Sequence, residues 1–117
     1  MAVFASRQIV MPVLPVAVTI TGSGNSNRCY ATINGTKQYS AGTHEVYAGD
    51  TITFGVSGYP FLTGFVKVDG TEVLRVTNRS TETYNWTVPS GISTVEIAMA
   101  LLSSEGAYAG RITVTTT

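Results

Sequence analysis

Charge is what this sequence has least of. Of 117 residues, seven are Lys or Arg and seven are Asp or Glu, 12% in all, and the formal net charge at pH 7 is zero. That is about half the usual charged share. A nucleic-acid-binding domain carries a clustered basic excess, whereas these cations are scattered singly from Arg7 to Arg111; no nucleic-acid partner is expected. Disorder requires low hydrophobicity with high net charge, and 44% of this chain is apolar. Cys29 is the only cysteine, which excludes an intrachain disulfide framework. One His and one Cys cannot complete a zinc shell, and Asp50, Asp69, Glu72 and Glu82 lack the spacing of a calcium loop. Neither a metal nor a cofactor is expected. No run approaches the roughly 20 apolar residues of a membrane-spanning helix, so no membrane partner is expected either.

Helical patterning is equally scarce. Its sole trace is IAMALL over Ile97 to Leu102, which is short, follows a β-rich run and stops at two serines; a buried strand is the expectation there. Elsewhere Val, Ile, Thr, Tyr and Phe recur in runs of four to nine, punctuated by Gly, Asn, Asp and Pro. Ten strands are expected: Val16 to Thr21, Cys29 to Ile33, Thr36 to Tyr39, Thr43 to Val46, Thr51 to Val56, Thr63 to Val68, Thr71 to Thr77, Thr83 to Val88, Thr94 to Leu101 and Ala107 to Thr115. At this length they form one domain, whose folding removes about two-thirds of the extended chain's surface from water.

Residues 1–15, MAVFASRQIVMPVLP, stand apart. A secretory signal needs a positive start, an unbroken apolar stretch and a small-residue cleavage site. Here Arg7 is the only charge, Pro12 and Pro15 interrupt the run, and no such site follows, so export by a signal peptide is not expected. Proline fixes φ and pushes its predecessor into extended conformations. The segment is therefore an extended apolar arm, and Phe4, Ile9, Val10, Met11, Val13 and Leu14 are its candidate assembly contacts.

Two turns follow directly from their chemistry. Asn34-Gly35 and Asp69-Gly70 sit between alternating strands and supply the positive φ angles of a two-residue type I′ hairpin. They also mark an internal repeat: ATINGTK at 31–37 matches VKVDGTE at 66–72, and HEVYAGDTI at 44–52 loosely matches NWTVPSGIS at 85–93. The offset grows between the matches, so the second half carries a longer connection around Asn78 to Glu82. Two repeats are too few for a solenoid, and two similar sheets packed face to face explain them better. The fold class is thus all-β, an immunoglobulin-like antiparallel β-sandwich over 16–117 with an N-terminal arm over 1–15. Tyr84, Trp86 and Val88 alternate and should share the core face.

Catalytic raw material is thin. His44-Glu45 and Cys29-Tyr30 lack any local signature of a paired nucleophile and base, so Cys29 is expected to be a small core residue and His44 a strand residue. No catalytic residue is assigned and no enzymatic activity is expected. The Asn34, Asn85 and Asn78 N-x-[ST] matches are expected by chance in a Ser/Thr-rich chain. The connection Ser57 to Leu62 is unusual in placing Tyr59, Pro60, Phe61 and Leu62 where loops carry polar residues. It is either a contact site with rigid aromatic anchors or a plug for the end of the core. Leu101 to Tyr108 is a milder version.

A strand, an N-G-T hairpin, an A-G-T-x-E-V strand and an A-G-D-T-I turn run through TITGSGNSNRCYATINGTKQYSAGTHEVYAGDTITF at 19–54. VKVDGTEV from 66 and YNWTVPSGISTVEIAM from 84 complete the pattern. It resembles the small immunoglobulin-like virion proteins of tailed bacteriophages. The resemblance implies a non-enzymatic capsid decoration or cement protein, made in the host cytoplasm and carried in the virion. Its partners would be the major capsid protein or other virion proteins, with self-association within the particle. Two alternatives stay open: a tail, baseplate or fibre accessory domain, and a carbohydrate-binding or adhesive module that holds a host glycan through Tyr59, Phe61 or Tyr108.

Overall fold

The computed structural model describes residues 14–25, 28–57, 62–77, 80–101 and 108–117, and these form ten β-strands. They are β1 (Val16–Ser23), β2 (Cys29–Ile33), β3 (Thr36–Gln38), β4 (Ser40–Val46), β5 (Thr51–Ser57), β6 (Leu62–Val68), β7 (Thr71–Thr77), β8 (Thr81–Thr87), β9 (Ser93–Leu101) and β10 (Tyr108–Thr116). Two sheets, ordered β4-β1-β10-β9-β6-β7 and β3-β2-β5-β8, enclose one core. Every pairing is antiparallel. Among the described residues no helix is long and apolar enough to cross a membrane.

Period-two patterning builds the core. Val16, Val18 and Ile20 of β1, Ala31 and Ile33 of β2, Ile52, Phe54 and Val56 of β5, Val95 and Ile97 of β9, and Ile112 and Val114 of β10 all point inward and are buried. Each fully buried Val, Ile or Phe side chain contributes about 1.5–3 kcal/mol relative to exposure. Tyr84, Trp86 and Val88 share the core face as their alternation requires, with Trp86 and Val88 buried and Tyr84 half-buried against the cluster. The Trp86 and Phe54 ring centroids lie 5.7 Å apart in a tilted arrangement.

The pairings contain the immunoglobulin key. β5 with β8, and β6 with β9 and β10, reproduce the B–E and C–F–G pairings, and β7 occupies the place of a C′ strand. Two differences matter. The core tryptophan lies on the E-like β8, and Cys29 is a free thiol, so this sandwich is held without the usual inter-sheet disulfide.

Both hairpins form as their sequences require. Asn34 (φ 51°) with Gly35 (φ 80°), and Asp69 (φ 50°) with Gly70 (φ 83°), sit in the left-handed region between β2 and β3 and between β6 and β7. The two repeats do not correspond to the two sheets, as the sequence suggested, because each half spans both sheets. In the first, β2 and β3 lie in the four-stranded sheet, β4 crosses to the other, and β5 returns to pair with β2. In the second, β6 and β7 lie in the six-stranded sheet, β8 crosses, and β9 returns to pair with β6. The order β3-β2-β5-β8 is thereby matched by β7-β6-β9-β4, with β10 and β1 inserted between β9 and β4. The equivalent turns 47–50 and 88–92 meet through Gly49 N–H to the Val88 carbonyl (2.9 Å) and Val88 N–H to the Asp50 carbonyl (2.8 Å).

Strand ends differ modestly from expectation. β4 begins at Ser40 rather than Thr43, because pairing with β1 recruits Ser-Ala-Gly, a sequence with turn composition, across a register shift between Ile20 and Ser23. β3 stops at Gln38, and Tyr39 becomes the corner between sheets, its carbonyl accepting from Gly24 N–H at 2.7 Å.

Candidate functional site

The register gives the sandwich two unlike ends. At one, which we call the arm end, β1 begins beside Val46, the two hairpin turns sit, and Ala17 and Thr117 exchange two backbone hydrogen bonds of 3.0 Å. At the other, the far end, lie the connections that leave Ser23, Ser57, Thr77 and Leu101.

Among the described residues, three large apolar ones stand exposed at the arm end. Leu14 is 75% exposed, Tyr47 48% and Ile92 81%. Leu14 precedes β1 and Tyr47 follows β4, whose Val16 and Val46 pair; Ile92 precedes β9, whose Ser93 pairs with Thr116 beside the C-terminal Thr117. Leu14 and Tyr47 thus adjoin the neighbouring strands β1 and β4, and Ile92 adjoins β9, which β10 separates from β1.

Hydrogen bonds fix the turns that carry Tyr47 and Ile92. Tyr47 N–H donates to Oδ2 of Asp50 at 3.0 Å, and Asp50 N–H returns to the Tyr47 carbonyl at 2.9 Å. On the other turn, the Thr116 hydroxyl lies within 3.3 Å and 3.4 Å of the Gly91 and Ser93 carbonyls, which flank Ile92. Gly91 has φ 138°, where only glycine is comfortable. Ile92 is thus held outward by its turn rather than packed into the core.

Of the sequence-expected arm contacts, Leu14 lies at this end, while Phe4, Ile9, Val10, Met11 and Val13 fall outside the described residues. Tyr59, Pro60 and Phe61 also fall outside them; Leu62 opens β6, its backbone paired with Leu101 at the far end. Sequence reasoning missed Tyr47 and Ile92. The signal for Ile92 was present, since an isoleucine directly after Pro-Ser-Gly has no alternating partner and no strand to bury it.

At the far end Tyr108 is 45% exposed, with the Arg111 guanidinium 4.6 Å from its ring centroid. Beneath it the chain is tightly knotted. Cys29 N–H donates to the Gly24 carbonyl (2.9 Å), the Cys29 thiol to the Gly110 carbonyl (3.4 Å), and Asn25 Nδ2 to the Ala109 carbonyl (3.1 Å). Burial pushes the Cys29 thiol up to about 12, only partly opposed by Arg28; a nucleophilic cysteine needs the opposite shift. Cys29 and His44 lie on different sheets, and His44 is half-buried opposite Val18. Among the described residues no group of three or more His, Cys, Asp or Glu is placed to hold a metal ion.

The outer faces of the sheets differ in chemistry. The six-stranded face carries the ion pairs Arg75–Glu72 (2.6 Å) and Arg111–Glu96 (2.7 Å), with Lys67 5.0 Å from the Phe65 ring centroid. The four-stranded face carries Thr32, Thr53, Thr83 and Asn85 in paired register, with Thr53 Oγ1 donating to Asn85 Oδ1 at 2.9 Å. No known protein family, curated protein or solved structure matches the chain.

Proposed function

We propose that the protein is a structural virion component of a tailed bacteriophage, a decoration or cement subunit that binds the outer capsid surface through its N-terminal arm. The observation that carries this reading is the apolar arm end. Leu14, Tyr47 and Ile92 stand exposed at the end of the sandwich where β1 begins, and the sequence of residues 1–13 would supply further apolar contacts from the same end. Zero net charge leaves little long-range repulsion between closely packed copies. Burial of such residues stabilises by about 25 cal/mol per Å², and a lattice repeats that gain at every site. Support from the sequence is the resemblance to immunoglobulin-like virion proteins.

Deleting residues 2–12 tests it. The truncated protein should remain folded and soluble yet fail to associate with particles. Undiminished incorporation would overturn the reading. Electron cryomicroscopy of intact particles distinguishes a capsid site from one in the tail, where the same arm would serve.

A further inference from the structure

Among the described residues four strands lie at sheet edges, and three are guarded against pairing with another chain. β3 is three residues long and carries Lys37. β7 pairs with β6 across a register shift and carries the Glu72–Arg75 ion pair. β4 pairs with β1 across a register shift, includes Gly42 and carries Glu45. Short edges, bulges and edge charges are the devices by which sheets avoid edge-to-edge association. β8 lacks them. It pairs with β5 through all seven residues without a register shift and contains no Pro, Lys or Arg; Glu82 is its one charge.

The direction of the β8 amides follows from its end. Val88 N–H donates to the Asp50 carbonyl at 2.8 Å, one step beyond the Thr51–Thr87 pair. Because backbone groups alternate along an antiparallel strand, those of Trp86, Tyr84 and Glu82 also face β5. Those of Thr81, Thr83, Asn85 and Thr87 face away, and among the described residues none of the four has a backbone partner on that side.

We propose that this edge pairs antiparallel with β8 of a second copy about a two-fold axis at Asn85, joining two four-stranded sheets into one of eight strands. The arrangement is self-complementary. Asn85 faces Asn85 of the second copy, Thr83 faces Thr87, and Tyr84 lies opposite Trp86 on the core side, an aromatic cross-strand pair. Its charges are compatible too. The two Glu82 carboxylates end six residue positions apart, about 20 Å at 3.4 Å per residue, which is beyond the screening length of about 8 Å at physiological salt. The inference is independent of the virion reading and of the arm.

Analytical ultracentrifugation of the full chain tests it. The expected result is a monomer–dimer equilibrium. Asn85→Asp preserves shape and the acceptor for Thr53 but sets like charges face to face, so the dissociation constant should rise about fivefold or more at low salt, less at high salt. Asn85→Cys should cross-link into a covalent dimer on oxidation, because the facing Cα atoms of a hydrogen-bonded antiparallel pair lie about 5.5 Å apart, within disulfide reach. Thr81→Cys, whose two copies lie far from the axis, should not. Native Cys29 is buried and does not interfere. Deletion of residues 2–12 should leave the equilibrium unchanged. The proposal is overturned by a wild-type protein that stays monomeric to about 1 mM, by a dimer lost with the arm, or by absence of the Asn85→Cys cross-link. That last measurement decides the matter if circular dichroism shows Asn85→Asp to be misfolded.

Discussion

Tyr30 lies directly against the bare backbone of Gly55: a methyl group built on Gly55 would sit 2.0 Å from Cζ of the tyrosine ring. The two residues face each other in the β2–β5 register on the outer face, and Lys37 Nζ lies 4.2 Å from the ring centroid. A glycine inside a strand ordinarily weakens it. Here the ring occupies the space that a side chain would fill.

A reversal of sign follows from that contact. Alanine in place of an interior strand glycine normally stabilises by about 0.5–1 kcal/mol, but Gly55→Ala must push the Tyr30 ring off β5 and away from Lys37. Gly55→Ala in the wild type is expected to destabilise by about 1 kcal/mol, and in a Tyr30→Ala background to stabilise by about 0.5 kcal/mol. A double-mutant cycle in urea unfolding measures the coupling. The same sign in both backgrounds would show that the ring does not depend on Gly55.

Cys29 makes stability fall with alkaline pH. Its thiol is raised from an ordinary 9.0 to about 12 by burial. Below about pH 9 both the folded and unfolded chains hold the proton. Above it the unfolded chain releases the proton while the folded chain keeps it, so stability declines from about pH 9 to about pH 12, by up to about 1.4 kcal/mol per pH unit from this group. Cys29→Ala should show a shallower decline over that window in otherwise identical titrations. In the native wild type at pH 8, a thiol reagent should react only as fast as the sandwich opens; rapid labelling would contradict the buried site.

Both hairpin turns, the core face of β8 and the strand character of Ile97 to Leu101 were legible because each depends on neighbours in the chain. Asn-Gly and Asp-Gly dictate their φ angles locally, and alternation alone assigns Tyr84, Trp86 and Val88 to one side. The repeat was visible too, yet its distribution over both sheets was not, since crossing of β4 and β8 depends on long-range pairing. The same limit hid the knot at the far end. A Cβ on Gly110 would meet the Gly24 carbonyl oxygen at 2.6 Å, and one on Gly24 the Cys29 carbonyl oxygen at 1.7 Å, but these glycines are separated by most of the chain. The exposed Ile92 was overlooked for a different reason. It falls at the Pro-Ser-Gly turn, outside the alternation of the strand that follows, and alternation assigns no face to a residue in a turn; the bonds around Gly91 and Ser93 show how this one is held.

The two equivalent hairpin turns should respond unequally to alanine. Either substitution forces a non-glycine residue without a polar side chain into the left-handed region, at a cost of about 1 kcal/mol. Asn34 also holds the first half together through its side chain, Nδ2 donating to the Glu45 carbonyl of β4 at 3.0 Å. Asp69 contacts Thr94 through its backbone N–H at 3.3 Å, which alanine retains. Asn34→Ala should therefore cost about 1 kcal/mol more than Asp69→Ala, measured as the difference in urea unfolding free energies. Equal losses would show that the side-chain bond to β4 contributes nothing.

Ile92 separates folding from assembly more cleanly than the arm deletion does. At 81% exposed it buries almost nothing within its own chain, and the Thr116 bonds that shape its turn go to the carbonyls on either side. Ile92→Ser should therefore shift thermal unfolding by no more than about 0.5 kcal/mol, as for other surface changes away from special features. If the arm end is the contact surface, the same substitution should reduce binding to capsids by about tenfold, the loss expected when about 1.5 kcal/mol of side-chain burial is removed from an interface. Lys67→Ala, on the outer sheet face, serves as the control and should bind normally. Full binding by Ile92→Ser, with the Lys67 control equally active, would show that Ile92 is not part of the contact surface.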